Sequence, residues 1–157
     1  MNIILLGGNS KKNKDWLSQL SEYFKSYFDE IIVQNYTHWD TDSDSIDIEN
    51  EVQRLSETAT KNQPYVIFAK SIGVVLVLKA IYQGKINPKQ CVFVGTAVNL
   101  ARKLGYEIDI WFKNYDIPTL LIQNDNDPAI SSAELKNILK DSDVKNFKLV
   151  ELTGNTH

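Results

Sequence analysis

The sequence predicts an α/β fold: a three-layer, doubly wound sheet of about six parallel strands, in one domain over residues 1–157. Two observations carry this. Short, nearly continuous apolar runs such as Asn2–Leu6, Tyr65–Ala69, Cys91–Gly95 and Thr119–Gln123 have the pattern of strands buried on both faces. Longer segments between them repeat apolar residues at helical spacing, and parallel strands need such crossover helices.

Asn2–Leu6 is the first strand and gives way to the flexible loop Gly7-Gly8-Asn9-Ser10. Trp16, Leu17, Leu20, Tyr23, Phe24 and Phe28 then draw one apolar helix face, with Ser10 and Asp15 as candidate caps. Ile31–Gln34 is a second strand. A polar, acidic loop from Asn35 to Asp44 leads to a helix over about Ile48 to Lys61, with Val52, Leu55 and Ala59 inward, and Pro64 ends that unit. The third strand, Tyr65–Ala69, is interrupted by Lys70 and Ser71; apolar residues resume from Ile72 to Ile81, and Gly84 and Pro88 close that helix. A hairpin turning at Lys70-Ser71 competes with strand–turn–helix, but neither residue favours the positive φ of a two-residue turn. After the strand Cys91–Gly95, residues Asn99 to Lys113 are helical in pieces, carrying Leu100, Leu104, Ile108, Trp111 and Phe112. Pro118 precedes the strand Thr119–Gln123 and Asn124–Pro128 is a turn. Ser131 or Ser132 caps a helix to about Lys140, and Asn146–Leu152 is the last strand before Thr153-Gly154-Asn155-Thr156-His157. Right-handed crossovers favour placing the second strand outside the first and the third on its other side, so that the loop Gly7–Ser10 faces Ser71.

Composition narrows the function. A net charge of −3 and a pI of about 5.4 give no broad positive field, so nucleic acid is not an expected partner. No run approaches the ~20 apolar residues of a membrane span and no basic leader precedes the first strand, which predicts a cytoplasmic protein with no membrane partner. Cys91 lies in an apolar run, as a buried small hydrophobe would. Gly7-Gly8 is followed by no third glycine and no P-loop is present, so a nucleotide site has little support. The run Asp40-Thr41-Asp42-Ser43-Asp44-Ser45, with Glu51 at the twelfth position, superficially resembles a calcium loop. It lacks the glycine at position six and the preceding helix. An acidic loop feeding negative charge to the next helix start is the simpler account, and no metal site is expected.

The chemistry-bearing residues follow strands. Ser71 sits at the strand–helix turn in Ala69-Lys70-Ser71-Ile72-Gly73. Asp127 lies in the turn Gln123-Asn124-Asp125-Asn126-Asp127-Pro128, and His157 follows the last strand after Gly154. All fall at the same edge of a parallel sheet. A serine alcohol becomes a useful nucleophile when a base takes its proton and a third group orients the base. Ser71 as a plain helix cap and Asp127 as an ordinary turn residue are the alternatives.

On these residues nearly the whole chain resembles a small, lidless member of the α/β-hydrolase fold family, shortened so that it begins with the strand preceding the oxyanion loop. The family's elbow G-x-S-x-G stands here as Ala69-Lys70-Ser71-Ile72-Gly73, with alanine for the first glycine. Its acid turn G-x-x-D-P corresponds to Asn124-Asp125-Asn126-Asp127-Pro128 and selects Asp127 over Asp125; its histidine after the last strand selects His157. The resemblance implies a serine hydrolase acting on a small-molecule ester, thioester or amide without metal or cofactor. Ser71 would be the nucleophile, His157 the base and Asp127 its orienting acid, with an oxyanion hole from the N–H groups of Ile72 and of Gly8 or Asn9. Family members usually continue past the histidine into a helix that buries its loop. The chain here stops at His157, which predicts a looser loop and reduced activity. Lys70 beside the nucleophile could attract an acidic substrate, and His38, in Tyr36-Thr37-His38-Trp39, could reach the site. Tyr106, Trp111, Phe112 and Tyr115 could wall an apolar acyl pocket or belong to the core. A catalytically silent domain binding a protein or small ligand, and a flavodoxin-like binder, would use the same sheet.

Overall fold

The structure, a computed structural model, describes residues 1–157 apart from 42 and 44. Its strands are β1 (Asn2–Leu6), β2 (Ile31–Gln34), β3 (Tyr65–Ser71), β4 (Cys91–Thr96), β5 (Thr119–Asn124) and β6 (Phe147–Leu152). They form one six-stranded sheet in the order β2-β1-β3-β4-β5-β6. Every neighbouring pair is parallel. The order reverses at β1/β3, where Leu6 pairs with Ala69, so the loop after β1 and the end of β3 lie side by side.

The helices are α1 (Asn13–Phe24), α2 (Ile48–Lys61), α3 (Ile72–Tyr82), α4 (Val98–Lys103), α5 (Ile108–Trp111) and α6 (Ser132–Asp141). Trp16 and Phe24 of α1 set their rings 5.9 and 5.8 Å from that of Phe68, which fixes one face of β3. On the other face lies α3, in which every residue from Ile72 to Ala80 is buried. This continuous apolar helix explains why its sequence has no amphipathic period: it is covered all round. On β6, Glu151 accepts from the Ser132 hydroxyl at the start of α6, and Leu135 and Leu139 of that helix are buried.

Local chemistry accounts for the element ends. Asp47 caps α2 by accepting from Asn50 N–H at 3.0 Å. Ser131, not Ser132, caps α6, and its side chain and that of Glu134 form a capping box. Neither proposed residue caps α1 with its side chain; Ser10 Oγ instead accepts from Lys12 N–H in the turn before it, at 3.3 Å. β3 runs two residues past its apolar stretch because the ladder to β4 continues through Lys70 and, after a register shift, Ser71. The loop after β2 contains a short 3-10 helix, Thr37–Asp40, whose residues carry no periodic signal in the sequence.

That short helix is held by one carboxylate. Glu51 of α2 is fully buried and accepts from Thr37 N–H at 2.8 Å, Thr37 Oγ1 at 2.9 Å, Gln34 Nε2 at 2.9 Å and Arg54 Nη1 at 2.7 Å. Its oxygens are thereby occupied. Asp42 and Asp44 of the calcium-like run lie outside the described residues. Among the described residues no cluster of His, Cys, Asp and Glu is arranged to hold a metal, and no helix is long and apolar enough to cross a membrane. Cys91 is buried at the start of β4, and burial pushes its thiol up to about 12.

Removing the Glu51 carboxylate leaves Thr37 N–H and the Gln34 amide without their acceptor and Arg54 without its counter-ion. Glu51→Ala is therefore expected to lower unfolding free energy by about 2–4 kcal/mol in urea denaturation, against a few tenths for the exposed Glu57→Ala.

Candidate active site

Ser71 joins β3 to α3 with φ 55° and ψ −118°, a left-handed conformation that a residue with a side chain adopts only under constraint. Its hydroxyl makes no capping bond to α3. Instead Ser71 Oγ lies 2.5 Å from His157 Nε2. His157 Nδ1 lies 3.0 Å from both carboxylate oxygens of Asp127. An ionised carboxylate only accepts, so Nδ1 carries the proton of the neutral ring and Nε2 offers its lone pair to the serine hydroxyl. The three side chains thus form one directional hydrogen-bonded chain.

Asp127 is 5% exposed and is fixed from two further sides, by Ala129 N–H at 2.7 Å and by Gln123 Nε2 at 2.8 Å. Gln123 is itself 1% exposed; its Oε1 accepts from Thr96 N–H at 2.7 Å and its Nε2 also donates to Ile130 C=O at 3.0 Å. One amide therefore ties the end of β4, the strand β5 and the turn bearing Asp127. His157 is delivered by a second set of bonds. Asp125 Oδ1 accepts from Gly154 N–H at 2.9 Å, Asn126 N–H donates to Gly154 C=O at 3.0 Å, and Asn124 Nδ2 donates to Thr156 C=O at 2.7 Å. The Gly154 N–H is the main cause holding the Asp125 carboxyl below its ordinary range. Asp125 thus positions the histidine segment while Asp127 meets the ring.

Glycines make the required space. A Cβ at Gly73 would lie 2.8 Å from Leu6 Cβ, 2.9 Å from Gly7 O and 3.0 Å from the Tyr36 hydroxyl, so α3 can approach β1 only with glycine there. At Gly95, which has φ +59°, a Cβ would come within 3.3 Å of His157 Cε1. Neither Gly95 nor Gln123 was an expected site residue. The signal for Gln123 was an amide inside an apolar strand; Gly95 carried none, because the ring it accommodates arrives from 62 residues further along the chain.

The loop Gly7–Ser10 is pinned beside the start of α3. Tyr36 donates its hydroxyl to Gly7 C=O at 2.7 Å, Trp39 Nε1 donates to Asn9 C=O at 2.7 Å, and His38 Nε2 lies 2.8 Å from the same oxygen. Since a carbonyl only accepts, His38 bears its proton on Nε2. Burial, with a smaller contribution from Glu51, raises the Tyr36 hydroxyl well above its usual range, so it remains a donor. Asn9 and Ile72 border a shared cavity of about 380 Å³ with Ser43, Ser45, Ile46, Leu100 and Leu104.

The other suggested contacts have different surroundings. His38 is buried and bound to Asn9, and with Lys11, Lys12 and Trp39 it lines an adjoining cavity of about 530 Å³ that shares Asn9 and Ser43 with the cavity at Ile72. Lys70 sits on the α1 face with its ammonium 5.5 Å from the Trp16 ring centre, because strand alternation turns it away from its neighbour Ser71. Trp111 packs 5.6 Å from Tyr106 and 6.5 Å from Tyr82. Phe112 and Tyr115 belong to the core, and the Tyr115 hydroxyl meets Thr119 Oγ1 at 2.6 Å, at the start of β5 and hence the opposite rim. The aromatic residues do not wall the cavity at Ile72; its apolar wall is aliphatic.

The sequence matches no protein-family model and none of the curated proteins. Solved structures share its fold throughout. Est1E from Butyrivibrio proteoclasticus, solved with ferulic acid bound, has a TM-score of 0.75 at 15% identity over 99% of this chain and 80% of its own. The mouse alpha/beta hydrolase domain-containing protein 10 gives 0.73 at 14% over 99% and 81%. Thermogutta terrifontis esterase 2, in a form phosphorylated by paraoxon, gives 0.70 at 12% over 99% and 72%. The chain is an α/β-hydrolase-fold protein.

Gly73→Ala is expected to push α3 away from β1 and lower stability by about 1–3 kcal/mol, read from the urea midpoint, because the colliding atoms include the Gly7 backbone.

Proposed function

We propose that the protein is a serine hydrolase of carboxylesterase, thioesterase or amidase type, acting on a small acyl substrate. The observation that carries this is the directional chain from Ser71 through His157 to Asp127, with the serine held in a strained strand-to-helix bend. Structures of the same fold that bear the name esterase support it.

In the proposed reaction Ser71 Oγ attacks the substrate carbonyl carbon as His157 Nε2 takes its proton. The Asp127 carboxylate holds the ring and stabilises the imidazolium that forms. Negative charge developing on the carbonyl oxygen is met by backbone N–H groups of Ile72, at the start of α3, and of Gly8 or Asn9. Protonation of the leaving group by Nε2–H breaks the acyl bond and leaves an ester on Ser71. A water molecule then gives a proton to Nε2 and attacks that ester, and as the acyl–Oγ bond breaks Nε2–H returns the proton to Ser71 Oγ, releasing the acid and restoring both the serine and the neutral ring. These steps draw only on groups of this chain and on water.

A fluorophosphonate probe is expected to label the protein at Ser71, as read by peptide mass, and to leave Ser71→Ala unlabelled. With a p-nitrophenyl ester, kcat/KM should fall about 10²- to 10⁴-fold in Ser71→Ala, His157→Ala and Asp127→Asn, with circular dichroism unchanged. Labelling that persists in Ser71→Ala would remove Ser71 as nucleophile, and a wild type that neither labels nor hydrolyses would refute the assignment.

A further inference from the structure

Gln123 is a primary amide at the end of the apolar run Thr119-Leu120-Leu121-Ile122, and it is 1% exposed. Enclosing an amide costs desolvation that only complete hydrogen bonding offsets. Its partners fix which end is which. Thr96 N–H only donates, so the atom 2.7 Å from it is Oε1. Ile130 C=O only accepts, so Nε2 lies on the other side and spends its two hydrogens on that carbonyl, at 3.0 Å, and on Asp127 Oδ2, at 2.8 Å. A flipped amide would lose all three bonds.

The same bonds join the two halves of the site. Thr96 stands opposite Ser71 in the ladder between β3 and β4, and Asp127 meets the His157 ring. Oδ1 of Asp127 accepts from Ala129 N–H at 2.7 Å and Oδ2 from Gln123. A single donor would fix one oxygen without fixing the plane of the group. With a donor on each oxygen the carboxylate cannot turn, and His157 Nδ1 rests 3.0 Å from both. A carboxylate that turned away would let the proton settle on Nε2 instead, where the ring can no longer accept from Ser71. Among the described residues Gln123 makes no hydrogen bond to Ser71 or His157, so its influence on them passes through Asp127.

We propose that Gln123 is a positioning residue for hydrolysis: it locks the plane of Asp127, and through that carboxylate it fixes the tautomer and direction of the His157 ring. The role rests on Ser71, His157 and Asp127 acting as nucleophile, base and acid.

The test is Gln123→Met, which keeps the reach of the side chain and removes its polar bonds, made in the wild type and in Asp127→Asn, with p-nitrophenyl acetate as substrate. In the wild type kcat should fall about 10- to 100-fold while KM stays within about twofold. In Asp127→Asn the same substitution should cost less than about twofold, because a residue acting through a carboxylate has nothing to act through once it is gone. Equal losses in the two backgrounds, or an unchanged kcat in Gln123→Met, would overturn the proposal. Where Gln123→Met does not fold, Gln123→Asn, with its amide drawn back by one CH₂, is read the same way. The ¹⁵N resonances of the His157 imidazole, recorded with the ring neutral, give a readout independent of turnover. The wild type should show Nδ1 protonated and Nε2 bare, and the Gln123 variant a mixture of both tautomers. If no ester is turned over through Ser71, the hydrolase reading falls by itself and these spectra decide the lock: a mixture supports it, and a single unchanged tautomer overturns it.

Discussion

The bend at Ser71 is the constraint from which the rest of the site follows. Holding a residue with a side chain at φ 55° and ψ −118° costs on the order of 1–3 kcal/mol, so the conformation survives only where both neighbours are immobile. On one side β3 stays paired to β4 up to Ser71 itself, opposite Thr96. On the other, α3 is buried along nearly its whole length and cannot rotate to relieve the turn. Ala69 and Gly73, small residues on either side, let strand and helix close on each other. A serine in this position cannot fold its hydroxyl back onto the helix start as a cap does, and the freed hydroxyl meets the imidazole.

The acid and the base depend on a different kind of support. Where Ser71 is held by apolar packing, Asp127 and His157 are held by polar bonds between loop ends. Gln123 joins β4, β5 and the Asp127 turn, while Asp125, Asn124 and Asn126 hold the segment from Gly154 to Thr156. The Gln123 half is buried and the half at Asn124–Asn126 is half-buried to exposed; polar networks of this sort specify geometry more than they add stability, since each member exchanges bonds with water for bonds with protein. Asp125 and Asp127, two positions apart in one turn, consequently do unlike things: one anchors the backbone that carries the histidine, and the other contacts the ring.

The strands and most helices were legible in the sequence because each carries its own pattern over several adjacent residues. The candidate triad was legible for a related reason: in a parallel sheet, every residue just past a strand falls at one rim, so chain order alone brings Ser71, Asp127 and His157 to the same edge. What stayed hidden depends on contacts between distant segments. Nothing near Gly95 announces that an imidazole will pass over it, and nothing near Glu51 announces five hydrogen bonds to its carboxylate from β2, the 3-10 helix and Arg54. Lys70 misled through adjacency, for strand alternation sends consecutive side chains to opposite faces. For Tyr106, Trp111, Phe112 and Tyr115 the sequence left pocket wall and core both open, and the structure takes the second for Phe112 and Tyr115, while Trp111 packs among Tyr106 and Tyr82.

The two faces of the sheet are also covered unequally, which bears on why the bend is built where it is. Val92, Val94, Leu120 and Ile122 share the face of Phe68 and Lys70, and all four are only half-buried, beyond the reach of α1. On the opposite face Ile67, Ala69, Cys91 and Phe93 are almost fully enclosed, beneath α3 and its neighbours. The hydrophobic stabilisation is therefore concentrated on the side from which α3 springs. A strained turn is best tolerated next to the most densely packed element, because relaxing it would mean opening that core. The serine sits at the junction of the sheet's central strand with its most deeply buried helix, where the fold can bear the cost of keeping it bent.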